Sequence, residues 1–242
     1  MLPLAFAFDV FGTVVDWRSS VARESVPHLA ALGRADVDPH RFADAWRARY
    51  QPAMATVRDG RRDWVVLDTL HREMLEATLA AHVIDLAAVG EARLADWTRA
   101  WHRLDPWPDS VAGLDRLRAL APVVTLSNGN VALIVAMARR AGLHWDAVLG
   151  AELARAYKPD PAAYLGTAAA LGVAPGDLCL VAAHHSDLAA ARGCGLLTAF
   201  IARPQEYGGA PAPDVHHVQE WDWHATGLDD LAAQMEAAAT AG

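Results

Sequence analysis

The chain has 242 residues, 53% of them hydrophobic and 21% charged, with a formal net charge of −8. This is the balance of a globular chain long enough for one large domain or a main domain with a smaller partner. The negative charge argues against binding to nucleic acid or to an anionic membrane surface. The only two cysteines, Cys179 and Cys194, each lie in an apolar stretch. They read as reduced, buried thiols, and no Cys/His metal spacing occurs. The apolar run over residues 2–8 has no basic flank and meets Asp9 at once, so it does not read as a secretory signal. No apolar run is long enough to span a bilayer, and a cytoplasmic protein is expected.

Residues 4–10 form a short apolar run bounded by Gly12-Thr13, which predicts a buried, parallel strand. Asp9 falls near its C-terminal end, where open α/β sheets place their ligand sites. From about residue 19 to residue 101 the spacing becomes helical, as in Phe42, Ala45, Trp46 and Tyr50, then Val66, Leu70 and Leu75. Four or five helices are expected, with breaks near Gly33, Gly60 and Val83-Ile84. Residues 104–110, with two prolines, read as a rigid link. Beyond it, helices at 111–120, 131–141, 161–171, 188–194 and 227–239 alternate with strands at 123–126, 147–150, 178–183 and 197–202. That alternation predicts an α/β fold, a Rossmann-like doubly wound parallel sheet, with a helical segment inserted after the first strand.

Polar residues gather just beyond the predicted strand ends: Asp9 with Gly12-Thr13, Ser127-Asn128, Lys158, and His184-His185-Ser186-Asp187. In a doubly wound sheet these loops converge on one edge. A carboxylate there can attack an electrophile and form an ester, which assigns Asp9 as nucleophile. Lys158 would hold Asp9 ionised, and Asp187 would accept a proton from the water that cleaves the ester.

Four ordered motifs carry a resemblance that covers nearly the whole chain. They are Asp9-Val10-Phe11-Gly12-Thr13, Leu126-Ser127-Asn128-Gly129, Tyr157-Lys158-Pro159-Asp160-Pro161 and Val181-Ala182-Ala183-His184-His185-Ser186-Asp187. In this order the chain resembles the haloacid dehalogenase superfamily, and within it the L-2-haloacid dehalogenases (type II). The resemblance implies a catalytic core of residues 1–16 and 102–242, with residues 17–101 as a helical cap domain.

What is missing selects the subfamily. Superfamily phosphatases usually carry a second acid two residues after the nucleophile, and here that position is Phe11. Their fourth motif supplies an early acidic ligand for Mg²⁺, and here it reads Ala182-Ala183. A hard divalent cation wants several carboxylate oxygens. Attack at carbon needs neither feature, so the resemblance implies a metal-independent hydrolase without cofactor. It would convert short (S)-2-haloacids to (R)-2-hydroxyacids through an aspartyl ester.

The resemblance also distributes roles. Arg47, in Trp46-Arg47-Ala48-Arg49-Tyr50, would face the leaving halide, with Arg49 as competitor and Asn128 assisting. Ser127 and the backbone N–H groups of the first loop, at Val10 and Phe11, would bind the substrate carboxylate. Thr13 would hold the nucleophile loop, and its alternative is a helix cap. Tyr164 matches a site-lining tyrosine, or is an ordinary core residue. His184 stands where relatives tend to have asparagine. It would donate a hydrogen bond in the asparagine's place, titrate near neutral pH, or be structural. The nine tryptophans read as core and cap-interface packing, with one or two walling the pocket. His216-His217 reads as surface, and residues 58–62 as a solvated turn. Members often dimerise through the cap, but no exposed apolar stripe in this chain compels a homodimer. The rival readings are a Mg²⁺-dependent phosphatase, a hydrolase of another 2-substituted carboxylate, and a catalytically silent binding protein.

Overall fold

The strands of the main sheet are apolar on both faces, and such runs are stable only when both faces are covered. The computed structural model describes residues 2–240. β1 (Ala5–Phe8) is wholly buried and is followed by β2 (Val15–Asp16). Six helices come next: α1 (Trp17–Ala31), α2 (Pro39–Arg47), α3 (Tyr50–Arg58), α4 (Leu67–Ala81), α5 (Leu86–Val89) and α6 (Glu91–Thr98). β3 (Asp105–Pro106) pairs antiparallel with β2 and closes this helical block at its base. The chain continues through α7 (Ser110–Arg118), β4 (Val123–Ser127), α8 (Val131–Ala141), β5 (Ala147–Gly150), α9 (Ala151–Ala154) and α10 (Pro161–Leu171). It ends with β6 (Leu178–Ala182), α11 (His185–Gly193), β7 (Leu197–Ile201), β8 (Trp223–Ala225) and α12 (Leu228–Thr240).

The main sheet runs β5-β4-β1-β6-β7-β8, all parallel. Chain order diverges on either side of β1, so the C-terminal ends of β1, β4 and β6 open onto the crevice of a switch point. Leu114, Leu133, Ile134 and Leu231 pack on one face of the sheet, and Tyr164, Ala168, Leu188 and Ala191 on the other. Phe8 pairs with Thr125 and with Val181, which leaves Asp9 one residue past the paired strand. Its N–H still donates to the Val181 carbonyl at 3.0 Å, fixing where the carboxylate emerges.

Local chemistry explains most boundaries. Asp160 caps α10 by accepting the Ala162 N–H, Pro161 opens the helix, and Gly172 closes it in the left-handed region. The predicted breaks at Gly33, Gly60 and Val83 are all present, with φ of 68°, 67° and 57°. The helix count of four or five is corrected to six. α2 and α3 part at Ala48-Arg49 because Pro52, in the first turn of α3, has no N–H to continue the α2 ladder. Gly90, at φ 76°, separates α5 from α6. The link at 104–110 hides β3, and β8 was too short to show alternation. The helix expected from 188 starts at His185, so Asp187 sits in its first turn. Both cysteines are free, but only Cys179 is buried. Among the described residues, no helix is long and apolar enough to cross a membrane.

Candidate active site

At the C-terminal edge of the sheet, beneath the helical block, lies a cavity of about 810 Å³. Asp9, Phe11, Arg47, Asn128, Lys158, Tyr164, His184 and Asp187 all line it. The fold thus gathers residues separated by as many as 178 positions.

Asp9 is buried, and each carboxylate oxygen has different partners. Oδ1 accepts from the Lys158 ammonium at 3.0 Å. Oδ2 accepts from the Thr13 hydroxyl at 2.8 Å and faces His184 Nδ1 at 3.0 Å. Thr13 Oγ1 in turn accepts the Ala183 N–H, tying the first loop to the end of β6. Burial opposes ionisation of Asp9, but the Lys158 charge and the His184 hydrogen bond overcome it and hold the carboxyl well below its usual range.

Lys158 bridges Asp9 and Asp187 through one ammonium. Burial would pull this lysine down, but the two carboxylates outweigh it and it stays charged. Asp187 also accepts the Tyr164 hydroxyl at 2.6 Å. Burial, together with the like charge of Asp9, pushes Asp187 up against the pull of Lys158. One site therefore holds a firmly ionised carboxylate and a more basic one, the pairing that separates nucleophile from proton acceptor.

Arg47 ends α2, and its guanidinium lies 4.0 Å from the centre of the Tyr50 ring, with Trp17, Phe11 and Trp101 at 5.4–5.9 Å. Its Nη1 is buried without a hydrogen-bond partner. Such an unsatisfied charged donor calls for an anionic ligand. Arg49 instead turns to Thr78 in α4 at 3.1 Å. Asn128 accepts the Lys158 N–H through Oδ1 at 2.8 Å. This leaves its amide N–H groups for the cavity.

One predicted side-chain contact lies elsewhere. Ser127 is fully buried, its Oγ accepts the Gly129 N–H at 3.0 Å, and it does not line the cavity. The Val10 side chain is also in the core. The Val10 and Phe11 N–H groups, by contrast, make no backbone hydrogen bond within the loop. The phenyl ring of Phe11 packs edge-on against Tyr50, His71 and Trp101.

Several lining residues were not singled out individually in the sequence. Trp17, Tyr50, Gln51 and Tyr207 form part of the wall. Arg58, read as part of a solvated turn, lines the cavity and donates to the Lys158 carbonyl at 3.3 Å. His216 and His217 are exposed as expected, but at the cavity mouth. Glu206 is the least foreseen: its buried carboxylate lies 3.0–3.1 Å from His184 Nε2 and accepts from Trp17 Nε1 at 3.0 Å. His184 thus stands between two carboxylates. Burial would lower it, but Glu206 and Asp9 raise it well above the ordinary histidine value.

A divalent cation does not fit this donor set. Lys158 already bridges the two carboxylates, Phe11 holds the position two after Asp9, and Ala182 and Ala183 offer no side-chain donor. Among the described residues no group of three or more His, Cys, Asp or Glu is placed to hold a metal.

A family model for haloacid dehalogenase-like hydrolases matches residues 3–195. A crystal structure of a defluorinating L-2-haloacid dehalogenase superposes with a TM-score of 0.92 at 47% identity, covering 96% of this chain and 94% of the other. A second L-2-haloacid dehalogenase structure gives a TM-score of 0.90 at 46% identity over 98% and 100% of the two chains. The (S)-2-haloacid dehalogenase of Xanthobacter autotrophicus is 30% identical over 204 residues, 82% of this chain and 75% of that protein. The chain belongs to the haloacid dehalogenase-like hydrolases, and within them to the L-2-haloacid dehalogenase family.

Proposed function

We propose that the protein hydrolyses short (S)-2-haloacids to (R)-2-hydroxyacids through an ester on Asp9. One observation carries this reading: a single cavity is lined by a buried, ionised carboxylate and by a guanidinium whose buried Nη1 has no partner. The first is a nucleophile, and the second is a site for the anion that leaves.

The attacking atom follows from lone-pair occupancy. A carboxylate oxygen has about two acceptor positions. Oδ2 fills both with Thr13 and His184, whereas Oδ1 accepts only from Lys158. Oδ1 therefore attacks C2 from the side opposite the carbon–halogen bond, and the halide leaves toward Arg47 and Asn128. The free N–H groups of Val10 and Phe11 suit the substrate carboxylate. Water then adds to Cγ of Asp9 while Asp187, steadied by Tyr164 and Lys158, takes its proton. The developing negative charge falls on Oδ2, where the Thr13 and His184 donors already point. Collapse expels the C2 alkoxide, which takes the proton from Asp187. The remaining carboxyl proton goes to solvent and Asp9 is restored.

Residues 17–101 act in this reading as a cap whose aromatic wall, Trp17 and Tyr50, keeps bulk water from the ester. Halide release from 2-chloropropionate and fluoroacetate, with and without EDTA, tests the assignment. Chloride or fluoride release unaffected by EDTA is expected. EDTA-sensitive release of phosphate from a monoester, without halide release, would overturn it.

A further inference from the structure

Glu206 lies in the irregular segment between β7 and β8, is 2% exposed, and has only one ion-pair partner among the described residues, His184. A buried carboxylate without a partner cation is costly. The other nitrogen of His184 faces Asp9, itself held ionised by Lys158. A neutral imidazole has one N–H and would turn a lone pair toward one of these carboxylates. Only the imidazolium donates to both.

The surrounding chain is shaped for this contact. A Cβ at Gly12 would lie 2.1 Å from Glu206 Oε1, so only glycine leaves room for the carboxylate against the nucleophile loop. Gly12 also has φ +87°, and Trp107 Nε1 donates to its carbonyl at 2.8 Å. Glu206 accepts from Trp17 at the start of α1, which joins the helical block to the base of the site. Beyond Asp9 and Glu206, the ionisable groups facing His184 are Asp214, His185 and Tyr207, with Lys158 on the far side of Asp9.

We infer that Glu206 is a positioning residue that keeps His184 protonated on both nitrogens through the ester stage. Its role is specific to that stage. Esterification removes the negative charge of Asp9, and Glu206 is then the one carboxylate still touching the imidazolium. The cationic N–H on Oδ2 would otherwise be lost when the oxyanion forms there. Halide displacement gains nothing from this cation, since a donor on Asp9 withdraws electron density from the nucleophile. The catalytic consequence rests on the ester reading above, but the charge state of His184 does not.

Two measurements separate the claims. ¹⁵N NMR of His184 in the resting wild-type protein should show an imidazolium at pH 9, and a neutral ring at that pH overturns the inference whatever the protein's activity. In rapid-quench experiments with 2-chloropropionate, Glu206→Gln should release a first equivalent of chloride at close to the wild-type rate and accumulate the ester. Its ester hydrolysis should fall about tenfold per pH unit above the ordinary histidine value of about 6.5, reaching about 300-fold at pH 9. The wild-type step should stay flat over that range. His184→Asn, with a neutral donor, should give a pH-independent rate that Glu206→Gln no longer changes. Ester hydrolysis with a wild-type pH profile in Glu206→Gln would refute the role of Glu206. Absence of halide release in the wild type would refute the dehalogenase reading alone. If Glu206→Gln does not fold, the wild-type NMR result decides.

Discussion

Lys158→Met removes the one cation between two buried carboxylates. A unit charge pair at the 3.0 Å separation of Lys158 and Asp9 is worth about 5 kcal/mol at an effective dielectric of about 20. That corresponds to about four pK units, an upper figure because His184 and Thr13 still donate to Asp9. Without the ammonium, burial and the like charge of Asp187 both favour a protonated Asp9. The acid limb of the first turnover, followed as chloride release from excess enzyme, should move up by as much as about four pH units, with activity recovering as pH rises. Stability should fall by about 3–5 kcal/mol at pH 7, since breaking a buried pair leaves an uncompensated charge. Asp9 in the wild type has a lowered folded-state pKa, so its stabilisation is present above the unfolded carboxylate value of about 3.9 and fades as pH falls through the folded value. The contribution of Asp9 to stability in urea unfolding should therefore hold from pH 7 down to about pH 4 and shrink below it. An acid limb for chloride release in Lys158→Met that coincides with the wild type's would refute this account of Asp9.

Further outcomes follow from the same geometry. Arg47→Lys should lower kcat/KM by about 10²-fold or more through loss of a fixed anion donor, whereas Arg49→Lys, whose partner is Thr78, should stay within about threefold; equal effects would show that Arg47 does not face the halide. Phe11→Asp should not create a phosphatase. It would bury a carboxylate among Tyr50, His71 and Trp101, with His71 neutral because burial pulls it down to about 3, and should cost about 3 kcal/mol or more in urea unfolding. Because Asp187 is raised and Asp9 lowered, ester hydrolysis should fail before ester formation as pH is lowered. Intact-mass spectrometry should then show the adduct accumulating on the acid side, and failure of both steps together would contradict the assignment. Gly12→Ala should combine a strained φ with displacement of Glu206, lowering the melting temperature and reproducing the pH-dependent ester hydrolysis of Glu206→Gln.

The parts of the site that were legible in sequence share a physical origin. Asp9, Ser127 and Asp187 sit where an apolar run stops and a polar residue follows, and such junctions are visible without a structure. Lys158 was legible because Pro159 and Pro161 fix the turn around it. Glu206 was not, because residues 202–222 between β7 and β8 have no periodicity, and its contact with Trp17 spans 189 positions. His184 could be seen as unusual for its family, but its charge depends on that unseen partner. Ser127 shows the opposite case. Its place at the end of β4 was read correctly, but its hydroxyl turns inward to the Gly129 N–H, a choice set by the turn and not by residue type. The α2–α3 break escaped because the helical spacing of Phe42, Ala45, Trp46 and Tyr50 continues through Ala48-Arg49, and only Pro52 marks it.

The central claim, that an oxygen of Asp9 becomes the oxygen of the product, is tested most directly by one turnover in ¹⁸O-water with enzyme in excess. Peptide mass spectrometry should place the label in the peptide carrying Asp9, with unlabelled 2-hydroxyacid released. Label in the product and none in that peptide would mean that water attacks the substrate carbon itself, and the ester mechanism would fall.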